Sequence, residues 1–453
     1  MSGDPSQARP WHALALLLVL STLLKLALLV PAARLPLRAD ERQYVTGAIA
    51  IAKTGVPAYT NPNWDEAHSS PLYPYALGAV CLVVGEEHLA SAARVLQVLA
   101  STLTAWLVFV VAARVFERRI ALASAAIVAL GPTFVGYTHW FYTETLYTLL
   151  FVGLAAVLLG GERPISYRRA LAAGLVAGLA ALTRGAFVVQ APFVLAWLLL
   201  AGDAAPRRRA LTALAFALGM TATIAPWTIR NAVRYQRFLL IDTNGGNVLY
   251  KNWNAIDQEN HDVGLERRWQ KEQESYHGAI PLRPRVESDD PLARNSAEIE
   301  AAVQFTLAHP LLYAEQSLVR AAEFVNPTSF LVRSIRYGDY DVSPAVAELV
   351  VWSVLLGTMA LLAFGAFGLA ARPDGAPAAL LVLLMLSNVA VCVAIVSMSR
   401  YRLPMMPLLA PFAVHGLVSL RRLPAERPRA FTLALALVVA MAVAWVRYVP
   451  YSL

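Results

Sequence analysis

Residues 11–33 read WHALALLLVLSTLLKLALLVPAA, and seven residues later Asp40-Glu41 opens an amphipathic stretch, Glu41 to Lys53. A helix needs about 20 mostly apolar residues to cross the hydrocarbon core of a bilayer. Trp11 to Ala33 meets that length, so the paired acids fall where the chain leaves the membrane. The same pattern recurs outward along the chain. Further apolar runs lie at 90–113, 120–137, 141–160, 168–183, 185–202, 210–228, 346–371, 377–397, 403–420 and 430–449. The sequence thus predicts an all-α polytopic membrane protein of about eleven transmembrane helices. The run 71–84 has only 14 residues and fits a re-entrant or interfacial helix better.

Composition agrees with this reading. Hydrophobic residues make up 58% of the 453-residue chain and charged residues 15%, against about 45–50% and 25% in soluble domains. A disordered chain, a disulfide-built secreted module and an ordinary cytosolic enzyme are excluded. The two cysteines, Cys81 and Cys392, both sit in apolar runs and form no metal-binding spacing. The first apolar run is too long, and lacks the small-residue site, for a cleavable signal peptide. The net charge of +8 is carried by arginines whose placement alternates. With the N-terminus in the cytoplasm, the inside segments hold Arg9, Arg114, Arg118, Arg119, Arg163, Arg168, Arg169, Arg207 to Arg209, Arg372, Arg421, Arg422, Arg427 and Arg429. The short outside loops hold Arg184, Arg400 and Arg402 only. This is the positive-inside bias. It predicts a multi-pass protein of the cell (inner or plasma) membrane with its C-terminus outside, and it explains the charge without nucleic acid.

Three regions follow: helices one to seven in 1–230, including a first outer loop 34–89; an outer, periplasmic-side loop 231–345; and helices eight to eleven in 346–453. The segment from about 230 to 345 holds 16 of the 30 acidic residues and is the aqueous part. Within it Asn295 to Phe324 predicts two amphipathic helices split at His309-Pro310, since proline suits a helix start. The second of them is expected to lie on the outer membrane surface.

Ionisable residues at the predicted outer face are the candidates for chemistry. Asp40 and Glu41 cap the dipole of an amphipathic helix, and a carboxylate at an apolar interface also suits general-base work. Arg184, Arg400, Arg402 and Arg230, the last in Pro226-Trp227-Thr228-Ile229-Arg230-Asn231, run against the positive-inside bias or sit at the outer end of helix seven. Any one of them can snorkel. Several on one face suit bidentate phosphate binding, and a phosphate at that depth belongs to a lipid. In the aromatic turn from Thr138 to Glu144, most residues read as an interfacial belt, but Glu144 opens an apolar helix and is a functional candidate, with His139 beside it. Asn244-Gly245-Gly246-Asn247 reads first as a tight turn. Gly174 and Gly178 form a small-xxx-small helix-packing pair. Asp65-Glu66 and Glu86-Glu87 read as solvated acids, and His68 beside the first pair is a weak metal candidate. No metal or other cofactor is expected.

Together these segments resemble polytopic glycosyltransferases that take a sugar from a polyprenyl phosphate, the protein O-mannosyltransferases and the aminoarabinose transferases of lipid A among them, which share the GT-C fold. The resemblance rests on Ala39-Asp40-Glu41-Arg42-Gln43-Tyr44, Ser70-Pro71-Leu72-Tyr73-Pro74, Thr143-Glu144-Thr145-Leu146, Gly178 to Arg184, Pro226 to Asn231, Asn244 to Tyr250 and Arg400-Tyr401-Arg402-Leu403-Pro404. It implies that Asp40 is the catalytic base, with Glu41 beside it as a second catalytic carboxylate, and that Arg230, Arg400, Arg402 and Arg184 hold the donor phosphate. Glu144, His139, Tyr44, Asn244, Gly246 and Asn247 become candidate substrate contacts. The implied partners are a polyprenyl-phosphate sugar, a lipid, glycan or protein acceptor, and the bilayer. No lectin-like domain of the eukaryotic mannosyltransferases is visible. The reaction implied is inverting transfer of a hexose or pentose to an acceptor hydroxyl. The alternatives are a lipid-sugar flippase or transporter, for which no repeated halves are visible, and a polysaccharide polymerase or ligase.

Overall fold

The computed structural model describes residues 5–32, 35–62, 64–200, 204–253, 288 and 290–448. Residues 254–287 of the large loop lie outside the described residues, as does part of the second expected region. Among the described residues every regular element is helical. In chain order these are α1 (Pro5–Ala32), α2 (Ala39–Thr54), α3 (Leu72–Val84), α4 (Glu86–Ala112), α5 (Arg118–Leu130), α6 (Pro132–Gly136), α7 (Glu144–Leu159), α8 (Tyr167–Thr183), α9 (Phe187–Leu200) and α10 (Pro206–Tyr235). They continue as α11 (Asn244–Trp253), α12 (Pro291–Ala308), α13 (Pro310–Phe324), α14 (Phe330–Arg336), α15 (Pro344–Ala370), α16 (Ala376–Ala394), α17 (Met406–Ser419), α18 (Leu423–Glu426) and α19 (Pro428–Tyr448).

Each of the eleven expected segments contains a helix. Six helices are long and apolar enough to cross a membrane: Trp11–Ala32, Glu86–Ala112, Pro206–Tyr235, Pro344–Ala370, Ala376–Ala394 and Pro428–Val446. The other five, α5, α7, α8, α9 and α17, have 13 to 17 residues, so a count of eleven full spans does not follow from length. The protein is a multi-pass membrane protein. Expected segment 120–137 is broken at Gly131 because Pro132 starts the short helix α6. The 14-residue stretch 71–84 forms the separate helix α3.

Small residues set the tightest helix packing. A Cβ at Gly174 would lie 2.1 Å from the Phe216 carbonyl oxygen, and one at Gly178 would lie 2.4 Å from Thr223 Cβ. α8 and α10 therefore approach backbone to backbone, as the Gly174–Gly178 spacing predicts. Lys25 lies inside α1, completely buried, and donates to Ser101 Oγ on α4 at 2.9 Å. Ser21 donates to the Ala129 carbonyl of α5 at 2.7 Å, so α1 is registered against two neighbours by polar contacts.

Two features place the helices after the large loop. The His309-Pro310 break divides α12 from α13 where the sequence predicts it. α13 buries Leu312, Gln316, Arg320 and Phe324 and exposes Leu311 and Leu318. Arg320 Nε donates to the Val393 carbonyl at 2.7 Å, and the Tyr313 hydroxyl donates to that of Ala394 at 3.1 Å. These bonds satisfy carbonyls that a helix end leaves without intrahelical partners. They dock α13 on the last turn of α16, directly before the segment that carries Arg400.

Candidate functional site

Asp40 stands in the first turn of α2, and its side chain remains 35% exposed. Its Oδ2 lies 3.2 Å from Nη1 of Arg400, which comes from the segment joining α16 to Leu403. Nε of the same guanidinium is 3.7 Å from Oε1 of Glu144, the first residue of α7. Glu144 is buried and its Oε1 is 3.4 Å from Nη1 of Arg184, at the end of α8. Four elements distant in sequence thus build one alternating chain, Asp40–Arg400–Glu144–Arg184.

Aromatic rings frame this chain. Arg184 lies 4.4 Å from the Tyr401 ring centroid, and Arg400 lies 5.1 Å from Tyr401, 5.4 Å from Tyr142 and 5.5 Å from Phe330. Ring faces attract a guanidinium, and Arg400 Nη2 also donates to the Tyr401 hydroxyl at 3.3 Å. Arg400 Nε and the Tyr137 hydroxyl are buried with no hydrogen-bond partner. Arg400 Nε meets Glu144 only as a 3.7 Å ion pair, and buried donors are nearly always hydrogen-bonded, so the cluster keeps bonding capacity in reserve.

The two adjacent acids have different surroundings. Glu41 is buried, accepts from the Phe141 N–H at 2.9 Å through Oε1 and from the Arg38 N–H at 3.3 Å through Oε2. Burial raises its pKa, partly offset by those two hydrogen bonds. Glu41 therefore pins the start of α2 to the aromatic turn, while Asp40 faces the arginine chain. Tyr44, one turn on, packs edge-on against Trp64 and Tyr73. Burial, followed by the charges of Asp40 and Glu144, pushes its phenol well above the ordinary value.

Of the four arginines expected to hold the donor phosphate, Arg400 alone pairs with Asp40. Arg402 is 3% exposed and gives its donors to backbone: Nη1 to the carbonyls of Phe324, at 2.8 Å, and Asn326, and Nη2 to that of Thr328, at 2.8 Å. It ties the segment after α13 to the Arg400 segment. Arg402→Ala leaves three carbonyls without this donor. Each unsatisfied buried group costs about 1–3 kcal/mol, so thermal unfolding of the detergent-solubilised protein should shift down clearly. A variant as stable as wild type would contradict this role.

Arg230 belongs to a second cluster. It lies 2.8 Å from Glu66 Oε2, and Arg234 lies 3.0 Å from Glu66 Oε1. Hydrogen bonding from Arg234 first, then from Arg230, holds the Glu66 carboxyl below its usual range. Glu66 is thus paired, not simply solvated, and Asp65 accepts from Thr243 Oγ1 at 2.6 Å. Glu86 pairs with Lys53 at 2.6 Å. His68 stacks on Trp64. Among the described residues no group of three or more His, Cys, Asp or Glu side chains could hold a metal ion.

The remaining candidates are placed as follows. His139 is buried, with neither ring nitrogen hydrogen-bonded. Burial, then the nearby Arg94 charge, lowers its pKa to about 4, so it is neutral at pH 7. Arg94 Nε donates to the His139 carbonyl at 2.9 Å. Asn244, Gly246 and Asn247 form the first turn of α11, not a tight turn. The Gly246 N–H donates to Asn295 Oδ1 on α12 at 2.7 Å, and Asn247 Nδ2 donates to Asn244 Oδ1 at 3.2 Å. A Cβ at Gly246 would lie 2.4 Å from the Asn295 carbonyl oxygen, so close helix packing accounts for this glycine. Phe330 was not legible as a site residue, because its approach to Arg400 depends on the fold of the large loop. Tyr401 lies within the Arg400-Tyr401-Arg402 motif, and that motif was its only signal.

Residues 68–229 match the sequence profile of the dolichyl-phosphate-mannose-protein mannosyltransferase family. No curated protein matches the sequence. The fold resembles the archaeal oligosaccharyltransferase AglB from Archaeoglobus fulgidus, solved with an inhibitory peptide and a dolichol-phosphate. The TM-score is 0.53 at 15% identity, covering 98% of this chain and 56% of that one. The same enzyme tethered to an acceptor peptide gives 0.54 at 14% identity, covering 99% and 55%. ArnT from Cupriavidus metallidurans, bound to undecaprenyl phosphate, aligns at 0.45 and 15% identity over 91% and 79%. The chain spans little more than half the length of the archaeal enzyme. Its architecture is the GT-C fold.

Proposed function

We propose that this GT-C chain is an inverting glycosyltransferase that moves a sugar from a polyprenyl monophosphate to an acceptor hydroxyl at the outer face of the membrane. The observation that carries the reading is the Asp40–Arg400 pair, in which a partly exposed carboxylate is held 3.2 Å from a guanidinium whose Nε makes no hydrogen bond. The archaeal neighbour's dolichol-phosphate and the mannosyltransferase profile support a lipid-phosphate donor. A flippase needs no such base. A polymerase or ligase shares the chemistry and differs in acceptor.

Asp40 takes the proton of the acceptor hydroxyl. The oxygen attacks the anomeric carbon opposite the phosphate, the carbon–oxygen bond to phosphate breaks, and polyprenyl phosphate leaves. Arg400, with Arg184 behind it, stabilises the charge that grows on the leaving phosphate. Without donor, Arg400 rests on Asp40. An incoming phosphate competes for that guanidinium and releases the carboxylate for the acceptor. Glu144 holds the two arginines apart and oriented. This reading requires no cofactor.

Reconstituted protein supplied with a panel of radiolabelled polyprenyl-phosphate sugars should release polyprenyl phosphate with one of them and form a product of inverted anomeric configuration. Retention of configuration would sink the direct displacement. Orientation has its own test. Cysteine introduced at Asp341 should react with an impermeant reagent in intact cells, and cysteine at Ala205 should not. The reverse pattern would turn the protein over.

A further inference from the structure

The alternating charge chain ends at Arg184, and the support of that residue comes from segments far away in sequence. On one side, the Arg184 N–H donates to the Ala180 carbonyl at 2.9 Å, the last bond of α8. On the other, the Gly185 N–H donates to Ser70 Oγ at 2.9 Å. The Ser70 hydroxyl donates in turn to Asp242 Oδ2 at 2.6 Å. A Cβ at Gly185 would lie 2.8 Å from that same oxygen, so the three groups are closely packed.

Asp242 is itself held in a strap of chain between α10 and α11. Trp227 Nε1 donates to the Ile241 carbonyl at 2.7 Å, and the Thr243 N–H donates to the Ala67 carbonyl at 2.9 Å. Asn231 Nδ2 donates to the Leu239 and Ile241 carbonyls. The strap 239–243 is therefore fixed to α10 and to the segment before α3, and its carboxylate points at Ser70.

We infer that Ser70 and Asp242 are positioning residues: a hydrogen-bonded peg that sets the Arg184 end of the donor site from the first strap of the large outer loop. The inference rests on the glycosyltransferase reading only for what Arg184 does. The hydroxyl gives its one proton to the carboxylate and accepts the peptide N–H on one lone pair. A charged acceptor makes this hydrogen bond about twice as strong as a neutral one. Without Asp242 the hydroxyl is free to rotate. Without Ser70 the Gly185 N–H loses its partner, and the peptide that carries Arg184 keeps only its backbone bonds to the end of α8 and the start of α9, through Ala180 and Phe187.

The peg is sensitive to pH. Burial is the main cause that pushes the Asp242 acid up to about 6, with Asp65 adding to it and the Ser70 and Asn244 hydrogen bonds opposing. Asp65 faces it from the segment before α3. From the α8–α9 junction the charged neighbour is Arg184, whose guanidinium is turned to Glu144. Above about pH 6 the acceptor is charged and the peg is tight. Below it the acid is protonated and the peg loosens.

The test uses the full-length protein in lipid nanodiscs. Amide exchange of the peptide containing Gly185 is followed by mass spectrometry and corrected for intrinsic rate, in wild type, Asp242→Asn, Ser70→Ala and Ser70→Thr. Exchange at Gly185 should speed up by up to about tenfold in Ser70→Ala, which loses a neutral hydrogen bond, and several-fold in Asp242→Asn, whose amide oxygen accepts from Ser70 without the charge. It should return toward wild type in Ser70→Thr. Wild type should loosen as pH falls through 6, and Asp242→Asn should be loose at every pH. Unchanged protection in both Asp242→Asn and Ser70→Ala overturns the peg. Where the wild type transfers sugar, kcat should drop at least about tenfold in both variants with acceptor KM little altered, because misplacement of about 1 Å costs up to 10²-fold. Faster exchange with unchanged kcat overturns the positioning role. If wild type transfers nothing, the function reading fails and the exchange result still decides the peg.

Discussion

Asp40→Asn should lower the rate of sugar transfer by at least about 10²-fold, the lower bound of what general-base catalysis contributes. The substitution keeps size and shape and removes the ability to take a proton. Affinity for polyprenyl phosphate should hold or rise, since a negative carboxylate that competes for Arg400 is gone. Glu41→Gln should behave in another way. Glu41 accepts two backbone N–H bonds inside the protein, so its loss should appear first as lower thermal stability, with turnover per folded molecule much less affected. Wild-type turnover in Asp40→Asn together with an inactive but stable Glu41→Gln would exchange the two roles. Normal turnover in both would leave the mechanism without a base.

Arg400→Ala should cost about 10²–10³-fold in kcat, as removal of one preorganised donor to a developing oxyanion does. It also leaves Asp40 without its ion-pair partner and Glu144 with Arg184 alone. Arg400→Lys should recover little. A lysine carries one compact charge and cannot present a planar fork between two carboxylates, nor match the guanidinium's fit among the rings of Tyr142, Phe330 and Tyr401. Single-turnover rates measured beside polyprenyl-phosphate binding separate the two contributions. A Lys variant with full kcat would show that charge alone suffices and would remove the bidentate part of the argument.

Much of the fold was legible because apolar run length is a direct physical requirement of the bilayer. Each expected segment from Trp11 onward contains a helix, and the break at His309-Pro310 falls where proline chemistry puts it. Length alone did not separate full spans from the shorter helices α5, α7, α8, α9 and α17. The site was legible in part. Outer-face depth singled out Asp40, Glu144, Arg184 and Arg400, and the structure joins these four in one chain. The same signal selected Arg402 and Arg230 equally, because depth does not reveal which way a guanidinium turns. Arg402 turns to the carbonyls of Phe324, Asn326 and Thr328, and Arg230 turns to Glu66. These partners lie more than 70 residues away in the chain, and no local pattern encodes such pairings. The choice of Asp40 over Glu41 as base rests in the sequence on resemblance alone, and the Phe141 N–H that engages Glu41 comes from 100 residues away, where no local pattern shows it.

The most direct test of the account is an experimental structure of the full-length protein in lipid with polyprenyl phosphate bound. The account predicts that the phosphate sits within hydrogen-bond distance of the Arg400 guanidinium, with Arg184 behind it. The Asp40–Arg400 contact should have opened, and the Asp40 carboxylate should be turned toward the acceptor side. A phosphate bound instead against Arg230 and Arg234, with the Asp40–Arg400 pair still closed at 3.2 Å, would contradict it.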